Sequence, residues 1–174
     1  MQIIQYKNVT FEKYISNTDI KKQIKRISNE INLYYKNDSV IFIGILNGCF
    51  YFMHELLKSL KIEYTYKFLK VASYKGMKSL DICYDLNISN SSLQNKNILI
   101  IEDIIDTGKT VNFLKKYFQD KNVNEFKIVS LLVKEHNYAL CDWFGFKIND
   151  KFVIGYGLDI DGKFRNLKYI YIKN

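Results

Sequence analysis

Proline is absent from the 174 residues, cysteine occurs three times and histidine twice. Each scarcity removes a possibility. Cys49, Cys83 and Cys141 are odd in number, widely spaced and free of any CxxC pair, which argues against a disulfide framework and against a zinc site. His54 and His136 are too few and too far apart for a histidine-based metal centre. No apolar run approaches the roughly 20 residues that a membrane-spanning helix needs. The opening MQIIQYKNVTFEKY lacks the continuous apolar core of a signal peptide. The expectation is a cytoplasmic protein without a membrane partner. The lack of proline, beside heavy use of Lys, Asn, Ile and Tyr, speaks more of a biased source genome than of the fold.

What is present is apolar and basic. With 48% hydrophobic residues, a chain of this length makes one ordinary domain, residues 1–174, with a sizeable core. The net charge of +8 attracts anions: RNA, acidic lipids or phosphorylated small molecules. Its lysines are scattered, with no block of five or six like charges, so charge alone does not choose among them.

Ile20, Ile24, Ile27, Ile31 and Tyr34 follow one face of a helix, with Asn17, Thr18 or Asp19 as candidate N-cap. SVIFIGIL (39–46) is a buried-strand run leading through a tight turn into the helical stretch NGCFYFMHELLKSL. IEYTYKFLKVASY alternates as a half-exposed strand does, and DICYDLNI is its candidate partner beyond the polar tip KGMKS. KNILIIED, the turn DTGKT and the amphipathic VNFLKKYFQDK repeat the strand-turn-helix unit, and FKIVSLLVKE begins it again. Strands alternating with helices predict an α/β fold with a parallel sheet, whose ligands gather at the strands' carboxyl ends.

At one such end stands IEDIIDTGKT (101–110), three carboxylates beside a run that ends like a phosphate loop. A triphosphate-binding loop needs glycine five residues before Gly108, and Asp103 stands there. A single phosphate suits the stretch better. The TGKT turn can offer backbone N–H groups, the Thr107 and Thr110 hydroxyls and a helix N-terminus. The carboxylates then face the rest of the ligand, where they can accept from sugar hydroxyls, hold Mg²⁺ or exchange a proton. Alternatively, Asp103 and Asp106 merely cap the next helix and satisfy turn amides.

IEDIIDTGKT resembles the phosphoribosyl diphosphate motif of type I phosphoribosyltransferases, and in its Glu-Asp form that of the hypoxanthine-guanine enzymes. GILNGCFYF, ASYKG, LLVKE and DKFVIGYGLDIDGKFRNL resemble further family segments in the family's order. The resemblance implies a mostly parallel sheet flanked by helices, with a small hood and a mobile lid. It implies transfer of 5-phosphoribosyl from phosphoribosyl diphosphate to N9 of hypoxanthine or guanine, with Mg²⁺, in a homodimer or homotetramer.

By the same resemblance, Glu102 and Asp103 contact the ribose hydroxyls or the metal there. Asp106 is the proposed general base at purine N7, and Thr107, Gly108, Lys109 and Thr110 surround the 5′-phosphate. Lys134 donates to purine O6, Phe152 stacks on the base and Val153 offers backbone to its edge. Asp159 is metal-linked, Arg165 grips diphosphate, and Ser73 with Tyr74 belong to the lid. Asn47 and Gly48 form the diphosphate loop, where the family uses a strained or cis peptide. Many members carry lysine where this chain has Asn47, so a charge is missing there. Two alternatives stay open: an RNA-binding regulator on the same fold, and a phosphoribosyltransferase for another base such as xanthine or adenine.

Overall fold

The computed structural model describes residues 3–73, 82–84 and 93–174, with backbone alone for 71–73 and 82–84. Five parallel strands form the centre of a six-stranded sheet: β3 (Val40–Leu46), β4 (Tyr64–Ser73), β6 (Asn97–Ile105), β7 (Glu125–Lys134) and β8 (Trp143–Ile148). The order is β5-β4-β3-β6-β7-β8, and β5 (Ile82–Tyr84) runs antiparallel to the end of β4, as the sequence led us to expect.

Successive side chains of a strand leave opposite faces of the sheet, so a run apolar at every position needs a cover on both sides. Val40 and Phe42 of β3, with Leu99 and Ile101 of β6, join the cluster formed with α1 (Asn17–Tyr35) and α2 (Phe50–Lys58). Ile41, Ile43, Ile98 and Ile100 join the cluster on the other face, with Val111, Leu114 and Phe118 of α3 (Lys109–Gln119). Ile20, Ile24, Ile27 and Ile31 of α1 are buried as their spacing predicts, whereas Tyr34 stays 50% exposed and Tyr35 is buried in its place; burial of each isoleucine contributes about 1.5–3 kcal/mol. The cap of α1 differs from the expectation. Ser16 takes that place, its hydroxyl accepting from the Asp19 amide at 3.1 Å, while Asn17 already lies inside the helix.

The hood is a separate four-stranded sheet of order β1-β2-β10-β9, made from β1 (Ile3–Tyr6), β2 (Val9–Ile15), β9 (Val153–Ile154) and β10 (Ile170–Lys173). The two ends of the chain meet in it, and Phe11, Ile154 and Tyr171 make its own small core. It stands at the carboxyl side of the main sheet, where β6 and β7 deliver their loops. Among the described residues, no helix is long and apolar enough to cross a membrane.

Candidate active site

β6 ends at Ile105, and α3 begins at Lys109 after three intervening residues. Gly108 makes that turn with φ 72°, in the left-handed region where a side chain is costly. A Cβ there would also lie 2.5 Å from Leu140 Cδ1. No side chain caps α3, so its first amides remain turned toward the loop. Asp106 is therefore not a helix cap. Asp106, Thr107, Gly108, Lys109 and Thr110 line a cradle of about 90 Å³ that Glu102 also borders. The positive end of a helix dipole and unsatisfied N–H groups make such a cradle fit for one phosphate.

A larger cleft of about 280 Å³ opens beside it, lined among others by Asp103, Asp106, Lys134, Phe152, Val153 and Asp159. Asp106 borders both spaces and so joins the cradle to the cleft. Lys134, the last residue of β7, is buried, and its ammonium donates to the carbonyls of Asn149 (2.7 Å) and Lys151 (2.6 Å). An ammonium has three N–H donors, and among the described residues two are taken, which leaves one for a ligand. Phe152 packs its ring 6.3 Å from that of Phe11, yet remains 47% exposed, which leaves ring surface open to the cleft.

Val153 lies on β9, an edge strand of the hood. Lys173 N–H donates to Phe152 C=O, which marks 152 and 173 as a hydrogen-bonded pair of the antiparallel ladder. Alternation then makes Val153 and Ile172 a non-bonded pair, with the Val153 N–H and C=O directed outward from the sheet edge. A backbone donor and acceptor thus stand free to read a planar ligand.

Glu102 and Asp103 are divided by the strand's alternation: Asp103 lines the cleft, and Glu102 borders the cradle. Burial, then the neighbouring Asp103 charge, pushes the Glu102 carboxyl well above the ordinary range. Burial pushes Asp103 up to about 6, opposed by the Ile104 amide, which donates to its carboxylate at 2.9 Å, and by the charge of Arg165.

Two glycines let three loops close around Asp103. A Cβ on Gly48 would fall 1.6 Å from Asp103 Oδ2, and one on Gly157 would fall 2.0 Å from the Gly48 carbonyl. Arg165 completes the interlock, donating to Gly157 C=O and pairing with Asp159, each at 2.6 Å. Asp159 also accepts from the Gly162 amide at 2.7 Å. The Leu46–Asn47 peptide is cis. Ser73 ends β4, with its side chain outside the description, and Tyr74 lies outside the described residues altogether.

Among the described residues, no group of three or more His, Cys, Asp or Glu side chains is placed to hold an ion by itself. Glu102, Asp103 and Asp159 therefore do not form a three-carboxylate cage. Mg²⁺ is commonly held by one or two carboxylates together with substrate oxygens, and Asp103 and Asp159, which share the cleft, fit that role. Asn137 and Gly157 are the site residues that sequence reasoning passed over. Gly157 lay within the family-like stretch GYGLD, whereas Asn137 gave no signal of its own.

The phosphoribosyl transferase domain family matches residues 12–161. A hypoxanthine-guanine phosphoribosyltransferase of Bacillus subtilis is 36% identical over 163 residues, covering 90% of this chain and 89% of that protein. The chain belongs to the hypoxanthine-guanine phosphoribosyltransferase family. Among solved structures, a Staphylococcus aureus hypoxanthine phosphoribosyltransferase matches with a TM-score of 0.83 and 34% identity, covering 94% of this chain and 91% of that one. A Trypanosoma cruzi mutant enzyme complexed with its product IMP matches at 0.84 with 28% identity, over 98% and 93% of the two chains.

Proposed function

We propose that this chain transfers 5-phosphoribosyl from phosphoribosyl diphosphate to N9 of hypoxanthine or guanine, releasing diphosphate and forming IMP or GMP. One observation carries the reading: a phosphate-sized cradle and a cleft with an O6 donor, an exposed ring and a free backbone edge meet at Asp106. The 5′-phosphate sits against Asp106 to Thr110, and the base lies on Phe152 with O6 toward Lys134. A fixed donor at that position favours a 6-oxopurine over adenine, whose exocyclic amine is itself a donor.

In the reaction the bond from C1′ to diphosphate breaks and the bond from C1′ to N9 forms. Positive charge grows on the ribose, and the carboxylates of Asp103 and Asp106 stabilise it electrostatically. The N7 proton passes to the Asp106 carboxylate, while Arg165 and the Asn47–Gly48 backbone hold the leaving diphosphate. Asp103 and Asp159 would hold Mg²⁺, which would supply charge neutralisation for the departing diphosphate.

The enzyme acts in the cytoplasm as a homodimer or homotetramer. Support for self-association comes from Phe50, Tyr51, Tyr66 and Phe68, large aromatic residues left exposed beside the Asn47–Gly48 loop and on β4. The deciding experiment offers purified protein, Mg²⁺ and phosphoribosyl diphosphate a panel of hypoxanthine, guanine, xanthine and adenine. Turnover of one or both of the first two is expected. Turnover of neither would sink the assignment, and a preference for xanthine would move it to another base.

A further inference from the structure

The phosphate cradle is held open by something outside itself. Within the loop, the Lys109 amide reaches the Thr107 hydroxyl only at 3.4 Å, and no side chain caps the helix that follows. Behind it lies a short 3-10 segment, Glu135–Leu140, which follows β7. None of its residues lines the cradle or the cleft, yet two of them touch the loop, at Asp106 and at Gly108. Leu140 fills the space that the missing side chain of Gly108 leaves. Asn137 Nδ2 donates to the backbone carbonyl of Asp106 at 2.5 Å, and its Oδ1 lies 3.4 Å from where a Gly108 Cβ would stand.

The consequence follows from the planarity of the peptide. In a trans peptide the C=O of one residue and the N–H of the next point in opposite directions. With the Asp106 carbonyl held outward by Asn137, the Thr107 N–H must face inward, to the cradle. Were the plane free to turn over, a carbonyl oxygen would meet the phosphate, and an anion would face a partial negative charge.

We infer that Asn137 is a positioning residue for the reaction, holding the Asp106–Thr107 peptide so that the Thr107 amide, and not the Asp106 carbonyl, faces the 5′-phosphate. The inference rests on the proposed phosphoribosyl transfer. Asn137 touches no substrate and acts through the loop alone.

Asn137→Asp tests it, because it keeps the shape while replacing the amide donor with an acceptor set against a carbonyl. Asn137→Ala removes the tie without adding charge. In both variants KM for phosphoribosyl diphosphate rises about tenfold, the size expected for one lost hydrogen bond at a site, while KM for the base changes less than about twofold. Ribose 5-phosphate affinity, read by calorimetry without turnover, weakens by a similar factor. The urea midpoint of Asn137→Ala stays close to the wild type.

Unchanged ribose 5-phosphate affinity in both variants, or equal rises in both KM values, would overturn the role. If the wild type turns over none of the bases, the functional reading falls. The calorimetric arm then still decides whether Asn137 holds the loop.

Discussion

At the scale of single residues, Lys134 shows how one side chain serves two ends. Its ammonium crosses from the main sheet to the turn that carries Phe152, and the carbonyls of Asn149 and Lys151 share it. A buried lysine is stable only when its donors are used, and here the described residues use two of three. Lys134→Met leaves two carbonyls without a donor, so it lowers stability by about 1–3 kcal/mol in urea denaturation. It also raises KM for the base. A variant that lost activity with its unfolding free energy intact would mean that the lysine serves the ligand alone. That a lysine ends β7 was legible in LLVK. Its partners were not, because the carbonyls it holds lie 15 and 17 residues further on, in a turn without periodicity.

At the scale of elements, the strand-turn-helix units were legible because local spacing makes them. β3, β6 and β7 carry β-branched apolar runs, and α1 and α3 repeat at helical spacing. The interlock of loops was not legible, since Gly48 and Gly157 matter for what they lack. Gly157 has φ 102° and the Gly48 carbonyl where its side chain would be. Gly157→Ala therefore pushes the hood segment away from the diphosphate loop. We expect it to raise KM for phosphoribosyl diphosphate and to cost about 1–3 kcal/mol by overpacking, with far-UV circular dichroism unchanged. Wild-type kinetics in this variant would show that the two loops need not touch during turnover.

At the scale of the whole molecule, the hood is what a linear reading could not assemble. Phe11 pairs with Lys173 and Glu12 with Ile172, so the base wall depends on joining the two ends of the chain. Neither MQIIQYKNVTFEKY nor KYIYIKN carries a signal for that pairing. Tyr171, fully buried, sits between β2 and β9 and anchors the sheet. Tyr171→Ala should cost about 3–5 kcal/mol, as other large aromatic truncations in cores do. KM for the base should rise more than KM for phosphoribosyl diphosphate, whose phosphate cradle belongs to the main sheet. Parallel kinetic losses for both substrates would show that hood and sheet act as one rigid body.

The outward-facing backbone of Val153 limits how such an enzyme can change its diet. In the proposed reading the purine edge is read by main-chain atoms, so exchanging the Val153 side chain rewrites none of the donors and acceptors offered there. A shift of preference at this edge comes instead by sliding or tilting β9, and β9 is paired to β10 and through it to β2. In the proposed reading, discrimination at this edge is therefore retuned by the residues that set the register of the hood, while Lys134 keeps its own part at O6.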